Sequence, residues 1–340
     1  TVRESSIVIT GGKFNTVGSM NKTSLGGVII GGAVAYGSGA TTYVDKSTLT
    51  LKGNSDSNIT IGGRIIGASE ALNGGNATHN ESIVEIIGEE DSPLILSEGK
   101  ALYVGGSNAT VSDSLTLKIE NAILGSANED SKWGIYTGSR LSSAGTYEEG
   151  SSIVSVQKSS LSADLRGGAN VSSNVKLTAG STSIAVEDTF IAGYDNAGDT
   201  WPGRIFGTAY LEGDSSTVTY SSATLLINNV SGLTYDRDSG EITQNPGGRV
   251  YGGGQVYRSK KSILTVDSTS VTVKGEETAL EEVYGGSVIS GTVSSSDLSL
   301  VTVGNTSVTL ESGVVSDYLV GGNNVNWFGQ GVVGVLDDEI

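Results

Sequence analysis

The sequence contains no cysteine, only three prolines and a single histidine among 340 residues. Without cysteine, disulfides, zinc-thiolate centres and cysteine nucleophiles are excluded. His79 lies in the polar stretch NGGNATHNES, which predicts a solvated loop histidine, and one histidine cannot form a cluster of metal-binding imidazoles. We therefore expect no metal ion and no catalytic triad.

Charge is scarce as well. Charged residues make up 17% of the chain, less than the usual quarter, whereas disordered chains are typically rich in charge and proline. The formal charge is −17 and basic residues do not cluster along the sequence. We expect no nucleic-acid binding and no membrane contact by this segment, because an acidic surface repels phosphates and anionic lipids.

Long apolar runs are absent too, since none approaches the roughly 18 residues that span a bilayer. The first residues, TVRESSIVIT, include neither an initiator methionine nor a signal-peptide pattern. They predict a mature or excised fragment.

Glycine, in contrast, is abundant, with 50 residues. A signature of apolar residues followed by glycine recurs nine times, at about 36-residue intervals. The copies are IIGG (29–32), IIGA (65–68), YVGG (103–106), IYTG (135–138), LRGG (165–168), IFGT (205–208), VYGG (250–253), VYGG (283–286) and LVGG (319–322).

A second element keeps the same period. It is a short segment in which Ser or Thr alternates with aliphatic residues, the pattern of a β-strand with one buried face. The copies are SIVIT (6–10), STLTL (47–51), SIVEI (82–86), SLTLK (114–118), SIVSV (152–156), TSIAV (182–186), ATLLI (223–227), SVTV (270–273) and SVTL (307–310).

Short strands in a repeat of this length are typical of a solenoid or a propeller. The spacing between copies varies, which an open coil with loop insertions accommodates better than a closed ring. We therefore predict an all-β chain, a parallel β-helix (β-solenoid) of about nine coils of roughly 36 residues. It would form one domain over residues 1–340, with loop insertions near 126–150 and 193–245, and LTYDRDSGEIT (233–243) predicts a local hairpin.

The glycines do not predict a phosphate loop. GGKFNTVGS (11–19) lacks the G-K-[ST] ending, and a dinucleotide fingerprint requires a helix after the loop. Nine recurrences indicate a structural corner, where glycine permits close approach of the chain. We expect no cofactor, and we expect Tyr251 and Tyr284 of the VYGG copies to stack on each other.

Carboxylates remain as candidate catalytic groups, because glycosidases use two carboxyl groups roughly 5–9 Å apart. The strand copies carry few acids, so no catalytic residue is assigned. Acidic pairs in segments that resemble loops are Asp195 with Asp199, Asp236 with Asp238, Glu89 to Asp91, and Glu129 with Asp130. The stretch DRDSGE (236–241) departs from the EF-hand calcium pattern by one position, so it indicates a turn and no metal site.

Aromatic residues in the second insertion suggest binding. Tyr194, Trp201 and Arg204 in YDNAGDTWPGR are candidates to stack on a sugar ring or to contact a partner, since insertions on a repeat scaffold commonly carry function. The alternative is that Trp201 and Pro202 only pack the insertion onto the scaffold.

The interleaved VYGG and TSVTV elements resemble those of the passenger domains of bacterial autotransporters and related large adhesins, which have a pertactin-like right-handed β-helix. This resemblance covers residues 6 to 322 and implies secretion to the bacterial outer surface, with adhesion or self-association. We therefore expect a non-enzymatic adhesin or stalk whose partner is a host-surface protein, a glycan or another copy. The alternative is a carbohydrate-active β-helix enzyme, a polysaccharide lyase or glycoside hydrolase, that uses loop carboxylates.

Overall fold

The fold is all-β in the computed structural model. It describes residues 1–14, 28–57, 59–96, 101–125, 133–192, 194–196, 199–201, 203–235, 242–245, 247–291 and 297–326. These residues form 34 strands and no helix. Accordingly, the described part of the chain has no helix of the length and hydrophobicity needed to cross a membrane. The predicted all-β class is confirmed.

The longest strands pair side by side in parallel, and we call this set the first ladder. Its members are β1 (Val2–Ile9), β5 (Thr41–Lys52), β9 (Asn76–Ile87), β12 (Thr110–Glu120), β16 (Gly145–Gln157), β20 (Val175–Ala192), β25 (Thr217–Tyr235), β29 (Ile263–Lys274) and β32 (Leu300–Leu310). All nine predicted Ser/Thr-aliphatic segments lie in these strands, apart from Thr10 at the end of the first.

The apolar-glycine signatures end the strands of a second parallel ladder. Its members are β3 (Ile29–Ile30), β7 (Arg64–Ile66), β11 (Ala101–Tyr103), β14 (Trp133–Tyr136), β18 (Ala163–Arg166), β23 (Arg204–Phe206), β27 (Arg249–Tyr251), β30 (Ala279–Tyr284) and β33 (Val314–Val320).

A third parallel ladder follows the glycine corner. It consists of β4 (Val34–Tyr36), β8 (Glu70–Leu72), β15 (Arg140–Leu141), β19 (Asn170–Val171), β24 (Tyr210–Leu211), β28 (Gln255–Tyr257), β31 (Val288–Ser290) and β34 (Asn324–Asn326). Ser107 joins its two parts through single bridges to Glu70 and Arg140. Consecutive strands from the first, second and third ladders are called a row below.

The remaining strands are short. Three pair in parallel beside the end of the first ladder, namely β10 (Leu94–Leu96), β13 (Ala122–Leu124) and β17 (Ser160–Leu161), and β2 (Lys13–Phe14) pairs with β6 (Thr60–Ile61). Two antiparallel hairpins interrupt the pattern. One joins β21 (Tyr194–Asn196) to β22 (Asp199–Trp201), and the other joins the end of β25 to β26 (Ile242–Asn245). The second is the hairpin predicted from LTYDRDSGEIT.

Inward side chains of equivalent position stack from row to row, because the parallel pairings keep the alternation of the strands in register. These columns form the core and are nearly free of solvent. One runs through the first ladder (Leu49, Val84, Leu117, Val154, Ile184, Leu225 and Val271) and another through the second (Ile65, Leu102, Ile135, Leu165, Ile205, Val250 and Val283).

At one inward register position, most strands of the first ladder carry a Ser or Thr. Ser47 donates to the carbonyl of Gly67 at 2.8 Å, Ser82 to that of Val104 at 2.6 Å and Thr182 to that of Gly207 at 2.6 Å. Each hydroxyl therefore links a long strand to the corner that ends the second-ladder strand.

His79 is buried, so the prediction of a solvated loop histidine is wrong. It lies within β9, is fully buried, and its ring nitrogens contact Ser47 Oγ at 2.9 Å, Ser69 Oγ at 3.0 Å and the Glu81 carbonyl at 3.0 Å. Burial lowers the pKa of His79 to about 4. The polar neighbours in the sequence predicted the wrong environment, because His79 is enclosed by Ser47 of β5 and by Ser69, which directly precedes β8.

Candidate functional site

The outward sides of the second and third ladders meet at an angle and form one surface, which we call the concave face. Contacts across the angle define it: the Arg166 guanidinium lies 4.5 Å from the ring centre of Tyr210 and donates to Gln255 Oε1 at 3.3 Å, and Asn170 Nδ2 donates to Tyr103 Oη at 3.4 Å. The glycine corners produce this angle, because the chain turns there between β-strands of the two ladders.

A stack of rings with one guanidinium forms the floor of the concave face. The register aligns Tyr103, Tyr136, Arg166, Phe206, Tyr251 and Tyr284 along the second ladder. Tyr251 stacks on Tyr284 with ring centres 5.2 Å apart, as predicted, and Phe206 stacks on Tyr251 at 4.9 Å.

Arg166 fills the gap between the two halves of this stack. Its guanidinium lies 5.1 Å from the ring centre of Tyr136 and 5.0 Å from that of Phe206. Such cation–π contacts strengthen when they are desolvated, and Arg166 is only 4% exposed. Since the ring faces are covered by each other and by Arg166, the floor is a packed structural element.

Ion pairs run beside the ring stack. Asp164 accepts hydrogen bonds from Arg166 Nη2 at 3.0 Å and from Arg204 Nη2 at 2.6 Å. Arg249 pairs with Glu281 at 2.8 Å and contacts Glu282 at 3.5 Å. The pairs of Arg204 and Arg249 connect neighbouring rows. They place a positive charge beside each of the acids, which are Asp164, Glu281 and Glu282.

Three carboxylates gather at one end of the concave face. Oxygen atoms of Glu281, Glu282 and Asp317 lie within 4.8 Å of one another. Burial raises the pKa of Glu282, against the opposing charge of Arg249, and Asp317 is exposed. A buried acid with a raised pKa beside an exposed carboxylate is an arrangement that can serve acid–base chemistry.

Two arginines of the concave face are not neutralised. Arg64 on the second ladder and Arg140 on the third are half-buried, and neither forms an ion pair or a side-chain hydrogen bond with any described residue. Both act on Tyr103. Burial raises the pKa of its hydroxyl, and the charges of Arg140 and Arg64 act in the opposite direction.

The three residues predicted to bind lie next to this face. Tyr194 and Trp201 are opposite each other in the β21–β22 hairpin, and Arg204 begins β23 three residues after that hairpin. The structure assigns Arg204 to Asp164 and to the ring of Phe206, 5.5 Å from its guanidinium. The side chains of Tyr194 and Trp201 lie outside the described part, so a common site of all three stays a prediction.

The candidate acidic pairs of the sequence are dispersed. Glu89 forms an isolated antiparallel bridge with Ser92, so Asp91 lies in the turn between them. Glu90 forms an exposed ion pair with Lys158. Asp195 and Asp199 lie in opposite strands of the β21–β22 hairpin but are not direct partners. Asp195 pairs with Thr200, and Asp199 pairs with Asn196. Glu129, Asp130, Asp236 and Asp238 lie outside the described residues.

Sequence reasoning missed the acids and arginines of the second ladder. Asp164 and Glu282 are two residues before Arg166 and Tyr284, and therefore on the same side of their strands. The sequence does contain a pattern that marks them: a charged residue recurs three positions before the first glycine of the signature, as in ADLRGG and EEVYGG. No protein-family model, curated protein or solved structure matches the chain, so its function is inferred from this geometry.

Proposed function

We propose that the chain is a right-handed parallel β-solenoid of about nine coils that acts as a non-enzymatic scaffold on the outer surface of a bacterial cell, or after secretion. As an adhesin or stalk it would present the concave face and the adjoining hairpins to a host-surface protein, a glycan or another copy. The three parallel ladders, repeated in the same order through the described chain, support the solenoid.

One observation carries the binding role, namely the prebuilt character of the concave face. Its floor is fixed by stacked rings and its charges by ion pairs between rows, so little ordering remains to be done when a partner binds. The β21–β22 hairpin is inserted directly before this face, at Arg204. Insertions beside a rigid repeat surface are a common position for recognition.

A screen in solution tests this role. The labelled full chain is incubated with an array of glycans and extracellular-matrix proteins, and the supernatant is assayed for released reducing sugars. We expect binding without sugar release, and weaker binding for Trp201→Ala than for the control Tyr43→Ala, which removes an exposed tyrosine of the first ladder. Failure of the chain to bind any component would leave a spacer and contradict the adhesin proposal.

The acidic cluster supports a second candidate, a carbohydrate-active enzyme. In that case Glu282, whose pKa is raised by burial, would donate a proton, and Asp317 or Glu281 would act as the second carboxylate. These acids lie on ladder strands and not in the loops. Sugar release by the native chain that is abolished in Glu282→Gln and retained in Glu85→Gln, an acid on the first ladder, would favour the enzyme over the adhesin.

A further inference from the structure

Arginine and lysine are distributed differently over this molecule. The chain has eight arginines, and five of them belong to strands of the second and third ladders: Arg64, Arg140, Arg166, Arg204 and Arg249. Arg258 follows directly after β28. No described lysine belongs to either ladder. The basic residues that look scattered in the sequence are thus partly gathered on the concave face.

This segregation points to a requirement for the guanidinium group. Arginine presents a planar set of donors that matches a carboxylate in two parallel hydrogen bonds, whereas lysine offers a hydrated point charge. Arg204 and Arg249 already use this geometry on Asp164 and Glu281 of the chain itself. Arg166 donates a single hydrogen bond to Asp164. Arg64 lies in the same register column as Arg204 and Arg249, whereas Arg140 lies on the third ladder. Neither Arg64 nor Arg140 has an acid partner among the described residues.

Arg64 and Arg140 stand on opposite walls of the concave face. Arg64 pairs in register with Ala101 of the strand that contains Tyr103, and Arg140 is bridged to Ser107 in the same row. Their charges converge on the Tyr103 hydroxyl, which is also held by Asn170. A ligand group placed above Tyr103 would meet two cations and a phenol.

We propose that this site binds a carboxylate of a linear acidic polysaccharide, a chain that contains uronate units. The inference rests on the proposed function, because it names the partner of the concave face. The chain carries a charge of −17, so two half-buried arginines without acid partners are an exception that a matching anion would explain. Screening confines the repulsion by distant acids to about 10 Å at ordinary salt.

The neutral groups of the same face favour a sugar over an acidic peptide. Beyond Arg140 the register of the third ladder continues through Asn170, Tyr210 and Gln255. These amides and hydroxyls recur at the strand spacing of about 4.8 Å. Gln255 is buried and bonded to Arg166 and Ser290. The half-buried Asn170 and Tyr210 are therefore the groups that can exchange hydrogen bonds with ring hydroxyls of a polysaccharide that lies along the ladder.

Two acids border the site and provide a check on it. Glu70 is buried and occupies the register position of Arg140 on the third ladder, two rows away. Glu212 lies two residues after Tyr210, and its negative charge acts on Tyr103. Neither forms an ion pair with Arg64 or Arg140. Glu212→Gln is expected to strengthen binding of an anionic chain.

The experiment is titration calorimetry of the full chain with polygalacturonate in the presence of a chelator. We expect binding, and a loss of about tenfold in affinity for Arg64→Gln and for Arg140→Gln, because each removes charged hydrogen bonds. Arg3→Gln, on the exposed β1, is the matched control and should bind like the native chain. Unchanged melting temperatures would show that the variants fold.

Three results would overturn the proposal. The first is no binding of polygalacturonate, or equal binding of its methyl ester, which has the same backbone without charge. The second is an equal loss in Arg3→Gln, which would indicate unspecific attraction. The third is equal or tighter binding of poly-L-glutamate, which would assign the arginines to an acidic peptide. If polygalacturonate fails while another component of the array binds, the adhesin proposal stands and this inference falls.

Discussion

Gly254, the third glycine of VYGGGQV, lies where a neighbouring row comes so close that no side chain fits. A Cβ atom there would collide with the carbonyl oxygen of Ala209 and lie 2.7 Å from Thr208 Oγ1. Most other rows have Ala or Ser at the corresponding corner, such as Ser69 and Ala169, and one has Gly106. The extra glycine therefore reflects local crowding and has no link to a phosphate ligand.

We expect Gly254→Ala to lower the free energy of unfolding by about 1–3 kcal/mol, the usual cost of overpacking. Gly322→Ala is the control, because a Cβ atom at Gly322 meets nothing within 4 Å, and its effect should stay within about 0.5 kcal/mol. Urea unfolding of both variants measures the difference. Equal stability of the two would mean that the Ala209 corner can move aside.

His79 gives the fold a dependence on acid. Its pKa is lowered to about 4 by burial, so between pH 4 and 6.5 the folded chain binds fewer protons than the unfolded chain. Stability is then complete above pH 6.5 and falls as the pH drops toward 4, by on the order of 3 kcal/mol. In His79→Gln this acid loss should disappear from urea midpoints recorded at pH 7 and 4.5.

Glu149→Gln should change the pH dependence of stability in the direction opposite to His79→Gln. Glu149 is buried, its Oε1 accepts a hydrogen bond from the Ser139 amide at 2.6 Å, and burial raises its pKa. A raised carboxyl pKa contributes stability at low pH that is lost as the pH rises above the ordinary value. Replacing Glu149 should therefore steepen the acid loss, and the opposite change would contradict the assigned environments.

At the scale of strands and corners, the buried hydroxyl column distinguishes this repeat from a plain apolar core. In the strand register, Ser47, Ser82, Ser152, Thr182 and Thr269 occupy equivalent inward positions, while Leu115 and Ala223 take the same place without a hydroxyl. The exceptions show that a row can close without this hydrogen bond, so the column adds stability and is not required for the corner.

Thr182→Val tests the column, because it removes the donor to the Gly207 carbonyl and keeps the shape of the side chain. We expect a loss of about 1–2 kcal/mol in the free energy of unfolding, the cost of one unsatisfied buried group. Thr178→Val on the exposed side of the same strand should change it by less than about 0.5 kcal/mol. Equal losses would show that the strand responds to β-branched apolar residues in general.

The sequence predicted the strands and corners of the repeat better than the contacts between their charged side chains. Period-two alternation located the first ladder, and the glycine signatures located the ends of the second, because both are local patterns. The position of Glu282 beside Asp317, and those of Arg64 and Arg140 around Tyr103, depend on row lengths that vary along the chain, so they require the strand register. Tyr251 on Tyr284 was predictable because both follow the same signature.

For the whole molecule, the two ends of the ladders differ from the middle. In the last row, Leu310 is 41% and Leu319 49% exposed, although the residues paired with them one row earlier are buried. Within the described residues these last strands have a partner on one side only. Repeat proteins gain stability from each neighbouring unit, so this row is expected to be the least stable.

Amide hydrogen exchange measures this gradient. Amides of β32 and β33 should exchange faster than those of β16 and β20 at the same pH, because the former can open without disrupting a second neighbour. Equal protection at all protein concentrations would contradict an open end. Protection that appears only at high concentration would indicate that a second copy covers it.

The separation of arginine from lysine also decides how the protein can be labelled. Reagents that modify primary amines would attach at described lysines such as Lys46, Lys118 and Lys274, all on the first ladder, and would leave the guanidinium groups untouched. A dye or surface linker introduced through amines would therefore point away from Arg64 and Arg140, whereas an arginine-selective dicarbonyl reagent would mark that side of the molecule.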